Sequence, residues 1–122
     1  MTRRWSSEAA VLEEMERLND LSLQKVQEYQ STALRAAEAE AAHKALRAKR
    51  VLMAKAQGVK SIAEAEYTAE ADETVAQAYL ERLTTTAMAE AVRESLRSIR
   101  TNQDGLRTAA ASHRSPVSGP GF

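Results

Sequence analysis

The sequence predicts an all-α protein, a long antiparallel helical hairpin of coiled-coil character with a short helix at its turn. Three observations predict it. Apolar residues recur at steps of three or four over two long stretches. From Glu8 onward no Gly or Pro interrupts the chain until Gly58. The charges are segregated into blocks whose signs match when the chain folds back on itself.

The second long stretch, Asp72 to Arg114, carries the clearest period. Val75, Tyr79, Leu83, Thr86, Ala89, Val92, Leu96, Ile99, Gln103, Leu106 and Ala110 are separated by ten steps over 35 residues, a mean of 3.5. That is the spacing of helices wound about each other, not the 3.6 of a straight one. Thr86 and Gln103 dilute the apolar seam. Gly105 is its weak joint, costing about 1 kcal/mol relative to Ala, and is expected to kink the helix or end it early.

The first stretch begins at Ser6 or Ser7, either of which can cap a helix, with Glu8 in the first turn. A stripe then runs through Leu12, Met15, Asn19, Leu23, Val26, Gln30, Leu34, Ala37, Ala41, Ala45, Ala48 and Leu52, eleven steps over 40 residues. It changes from large side chains to alanine after Leu34, which predicts a thin, tight interior near the turn and a thicker one away from it. Asn19 and Gln30 either sit at the edge of the stripe or fix register by pairing across an interface.

Gly58 stands where a helix C-terminal cap is expected. Ser61-Ile62-Ala63-Glu64 has the form of a capping box, so a turn near 57–60 is specified from both sides. The helix from Ser61 to about Ala71 either continues into the next one or bends near Asp72. The expected organisation is a single hairpin domain over residues 1–114 with a flexible tail at 115–122, whose Pro, Gly and Ser content does not support a packed element.

A chain of 122 residues with 4% aromatic content has little material for a large core. Two helices have poor surface-to-volume economy, so a homo-oligomer is expected, with helix–helix contacts through Leu12, Met15, Leu23, Val26, Leu34, Leu52, Val75, Tyr79, Leu83, Val92, Leu96, Ile99 and Leu106. The absence of cysteine excludes disulfides and thiolate metal sites. No stretch suits a membrane span. The N-terminus is basic, but Ser6, Ser7 and Glu8 follow where a signal peptide needs apolar residues, so a cytosolic protein is expected.

Residues 43–60 carry 6 basic and no acidic side chains, whereas 61–90 carry 1 basic and 7 acidic, net −6. Residues 1–42 have 5 basic and 8 acidic groups, net −3, and 91–122 have 5 basic and 2 acidic, net +3. An antiparallel hairpin sets minus beside plus in both pairings. Each exposed pair is worth only about 0–1 kcal/mol, so the pattern selects topology more than it adds stability.

Chemistry finds little support. Glu40-Ala41-Ala42-His43 has the Glu-x-x-His spacing of di-iron bundles but lacks a second copy, since His113 has no Glu three residues before it. Glu64, Glu66 and Glu70 have no accompanying His or Cys and fit a solvated face. Gly58-Val59-Lys60-Ser61 lacks the first glycine and length of a phosphate loop. A non-enzymatic protein without metal or cofactor is expected. The block Lys44, Arg47, Lys49, Arg50, Lys55 and Lys60 is a candidate nucleic-acid contact, though no aromatic residue is interleaved for base stacking.

Two stretches carry a family resemblance: Gly58 to Glu66, reading GVKSIAEAE, and Ala91 to Ala111, reading AVRESLRSIRTNQDGLRTAAA. Over roughly residues 30–114 the chain resembles small helical proteins of bacteriophages and prophages, with a long first helix, a Gly-containing turn with a Ser/Thr-x-Ala-Glu entry, and a closing Leu-Arg-Thr/Ser helix. Gly105 departs from that group's usual helix former. The resemblance implies a self-associating adaptor or accessory factor near phage DNA replication and recombination, acting in the host cytoplasm, and brings no catalytic residues. The alternatives are nucleic-acid binding through the basic block and inhibition of a host protein.

Overall fold

The computed structural model describes residues 7–114, with side-chain surroundings for 7–112. It is all-helical: α1 is Glu8–Ala56, α2 is Ile62–Ala71 and α3 is Glu73–Arg114, and no strand occurs among the described residues. The two long helices pack together. Ser6 as a cap and the tail at 115–122 lie outside the described residues.

Local chemistry sets each boundary. Ser7 Oγ accepts the Ala10 N–H at 3.1 Å and caps α1. At the other end Gly58 adopts φ 105°. The Val59 N–H then reaches the Ala54 carbonyl and the Gly58 N–H the Lys55 carbonyl, both at 3.1 Å. This pair of bonds is the Schellman closure, and it needs a left-handed residue at the position Gly58 holds. Ser61 Oγ accepts the Glu64 N–H at 3.0 Å, the serine half of the expected capping box.

The open question at Asp72 resolves as a break. Its backbone is extended, φ −68° and ψ 134°, which ends α2. Its Oδ2 accepts the Val75 N–H at 3.1 Å, so the same residue caps α3. Gly105, expected to kink or end its helix, lies inside an unbroken α3. One helix-weakening glycine is outweighed by the burial of Leu106 and Ala110 beyond it.

The chain forms two compact units, one drawing on Met1–Glu28 and Val92–Phe122, the other on Tyr29–Ala91. In the first, Val11, Leu18, Ile99, Leu106 and Ala110 form a continuous apolar cluster with Met15, Leu21 and Ala109 against it. Gln103 Nε2 donates to Asn19 Oδ1 at 2.9 Å, linking α1 to α3. Asn19 therefore does pair across a helix interface, within one chain, while Gln30 is exposed.

The second unit is closed mostly by small or polar groups, with no leucine or isoleucine buried: Thr32, Ala39, His43, Ala54, Ala65, Ala69, Val75, Thr85 and Ala89. The buried hydroxyls are satisfied by their own helices. Thr32 Oγ1 donates to the Tyr29 carbonyl at 3.1 Å, and Thr85 Oγ1 to the Glu81 carbonyl at 2.8 Å. The thin interior expected near the turn is present, but on a different face of α1 from the one the sequence stripe marked.

The two glycines make opposite predictions. A Cβ at Gly105 meets nothing within 4 Å, so Gly105→Ala should raise unfolding free energy by about 0.5–1 kcal/mol. Gly58→Ala, forced into positive φ, should lower it by about 1–2 kcal/mol. Urea titration followed by circular dichroism reads both, and equal midpoints for the two variants would contradict the assigned backbone roles.

Candidate interaction surface

The inward positions of α1 explain why its expected face turns out. Val11, Leu18, Lys25, Thr32 and Ala39 recur at sevens, interleaved with Met15, Ser22, Tyr29, Ala36, His43 and Arg50, and all are buried or half-buried. This is a 3.5-residue repeat. The sequence stripe has a 3.6 repeat: it shares Met15 with the inward set and lies on the opposite side of α1 from Leu34 to Leu52. Of its members named as interface, Leu12, Leu23, Leu34 and Leu52 are exposed, whereas Met15 and Val26 are half-buried.

On α3 the expected seam holds at Val75, Ala89, Val92, Leu96, Ile99, Leu106 and Ala110, which are buried. Between 78 and 86 it slips by one residue. Ala78, Arg82 and Thr85 turn inward, and Tyr79, Leu83 and Thr86 stay exposed. The cause is polar. Arg82 reaches back to α1, where Nη1 donates to His43 Nδ1 at 3.1 Å and Nη2 lies 3.7 Å from Glu40 Oε2. A guanidinium has no acceptor, so Nδ1 takes the bond and the ring proton sits on Nε2. The His43 ring also packs on Tyr79, with centroids 5.1 Å apart and planes tilted by 47°.

Glu40 and His43, the residues of the Glu-x-x-His spacing, are thus both engaged by Arg82. Glu40 also binds Lys44 Nζ at 2.7 Å. The Lys44 hydrogen bond, then the charges of Lys44 and Arg82, hold its carboxyl below the ordinary range. No group of three metal-ligating side chains occurs among the described residues.

The acidic segment pairs with two of the six residues of the basic block. Arg47 Nη2 bonds Glu70 Oε2 at 2.9 Å and lies 3.7 Å from Glu66. Arg50 Nη2 is 3.3 Å from Asp72 Oδ1. Lys44 is held by Glu40. Lys49, Lys55 and Lys60 are exposed and take part in no ion pair among the described residues. The opposition of plus and minus is real in this unit, but its acidic side is mostly the short helix α2. Glu73 and Glu81 do not contribute. In the other unit, Arg17–Glu14, Lys25–Glu28, Arg97–Glu94 and Arg107–Asp104 are pairs within one helix.

Much of the large apolar material of the 29–91 unit also remains outside. On α1, positions 34, 37, 41, 45, 48 and 52 form one exposed face without a charge, with Leu34 61% and Leu52 68% accessible. On α3, Tyr79, Leu80, Leu83 and Met88 are exposed, and on α2 Ile62 and Tyr67. From Leu34 to Leu52 the sequence stripe therefore marked a surface, not the interior. Its 3.6 period, unequal to the 3.5 of α3, is the signal that separates the two.

No protein-family model matches this chain, and neither the curated proteins nor the solved structures include a match. No helix among the described residues is long and apolar enough to cross a membrane.

Arg47 holds two carboxylates, so Arg47→Glu should lower the melting temperature at low salt. Adding Glu66→Lys and Glu70→Lys in the same chain should recover most of that drop, with smaller differences in high salt. A thermal melt of the single variant that superimposes on wild type would mean that α2 docks through Ala65 and Ala69 alone.

Proposed function

We propose that this chain is a non-enzymatic helical-hairpin protein that acts by association, binding copies of itself and protein partners through apolar helix faces. One observation carries this reading: in the 29–91 unit the large apolar side chains Leu34, Leu52, Leu80 and Leu83 are left in water, while those enclosed are mostly alanine, threonine and histidine. Exposed apolar faces of this kind, rimmed by charge, mark interaction surfaces. In a folded monomer they would be idle.

The resemblance at Gly58–Glu66 and in the 91–111 ending supports placing it among phage accessory factors that serve DNA replication or recombination. Nucleic-acid contact through the basic block is the weaker reading, because Arg47, Arg50 and Lys44 are already paired. Lys49, Lys55 and Lys60 alone support only salt-sensitive contact without sequence preference.

Light scattering coupled to gel filtration tests the self-association arm. A mass at least twice the 13.4 kDa of one chain is expected at tens of micromolar. A single 13.4 kDa species throughout would contradict it. Tight binding of one oligonucleotide at physiological salt would favour the weaker reading instead.

A further inference from the structure

The outward face of α1 has a symmetry that names its partner. Leu34, Ala37, Ala41, Ala45, Ala48 and Leu52 read nearly the same from either end, with residue 43 at the midpoint. Reversed on itself, the face sets Leu34 against Leu52 and Ala41 against Ala45. The central alanines let two helix axes approach closely, and the terminal leucines close the ends.

The flanking charges decide the direction. On an α-helix at 100° per residue, Glu38 and Lys49 border this face on one side, and Lys44 with Glu40 on the other. An antiparallel pair related by a two-fold axis brings like flanks together. Glu38 then lies opposite the second copy's Lys49, and Lys49 opposite its Glu38. Beside the axis, the Glu40–Lys44 pair, 2.7 Å within one chain, meets the same pair reversed. Glu38, Glu40, Lys44 and Lys49 each find an opposite, while Lys55 at the end of the face stands opposite Ser31. A parallel pair would set Glu38 beside Glu40 and leave Lys49 among lysines. Lys49 is exposed and takes part in no ion pair among the described residues.

We propose that a second copy of this chain docks antiparallel on the α1 face from Leu34 to Leu52, with the two-fold axis beside residue 43. This rests on the association reading above and gives it a surface and a direction. The apolar face of α3 at Leu80 and Leu83 is not part of this contact; Glu73 and Glu90 border it, so two copies of that face would oppose acid to acid. It stays open to a different protein.

The natural chain contains no cysteine, which makes cross-linking direct. Leu34→Cys and Leu52→Cys would be prepared separately and oxidised mildly, alone and mixed, with the mass of each sample measured before oxidation. The mixture should give far more disulfide-linked dimer than either variant alone, because like positions stand about 27 Å apart in the antiparallel pair. Equal linking by Leu34→Cys alone would overturn the direction. A dimeric mass without linking would overturn the surface while leaving association intact, and a monomeric mass would remove both. Since the leucine changes remove apolar area, Glu38→Lys and Lys49→Glu serve as a second test. Each should weaken dimerisation roughly two- to twentyfold, through two symmetry-related exposed pairs, and the double variant should recover it. Unchanged dimerisation in both single variants would overturn the pairing.

Discussion

Arg82 turning inward is the interaction on which the 29–91 unit depends. Its guanidinium joins His43 and Glu40 on α1, and this fixes which faces of α1 and α3 meet there. The faces so chosen are poor in apolar bulk. An alanine methyl contributes about 0.8 kcal/mol on burial, against about 1.5–3 kcal/mol for a leucine. The unit therefore closes on Thr32, Ala39, Thr85 and Ala89 while Leu34, Leu52, Leu80 and Leu83 remain in water. Backbone caps and ion pairs supplement what burial does not supply: Gly58 and Asp72 at the bends, Arg47 and Arg50 against the carboxylates of α2 and its cap.

The 1–28 and 92–122 unit is built the ordinary way, with Leu18, Ile99 and Leu106 in a continuous cluster. The contrast divides labour within one chain. A leucine-rich seam suits a permanent fold. An alanine- and threonine-lined seam with leucines outside leaves apolar area in water, and that is the area the proposed association would bury.

Much of this was legible from residues. The all-helical class, both ends of the turn, the cap at Ser61 and the α3 seam beyond Ala89 follow from caps, glycine placement and period. The face of α1 did not follow. In an alanine-rich helix two apolar stripes overlap, and the more hydrophobic one was the natural choice. The buried stripe holds Lys25, Thr32 and His43, and hydropathy gives no credit to polar groups whose partners lie on another helix. Arg82, which pulls the α3 seam one residue aside, was invisible for the same reason. The basic block was easy to find, but the identity of its partners depended on where α2 folds.

The central claim is that the 29–91 unit is incompletely buried in one chain and is completed by association. Amide hydrogen exchange as a function of protein concentration tests it most directly, because a bound partner stabilises the closed helix by mass action. Protection of residues 34–52 should rise with concentration, while that of the Leu18, Ile99 and Leu106 cluster should change much less. Protection of 34–52 that is already high in dilute solution and independent of concentration would contradict the account.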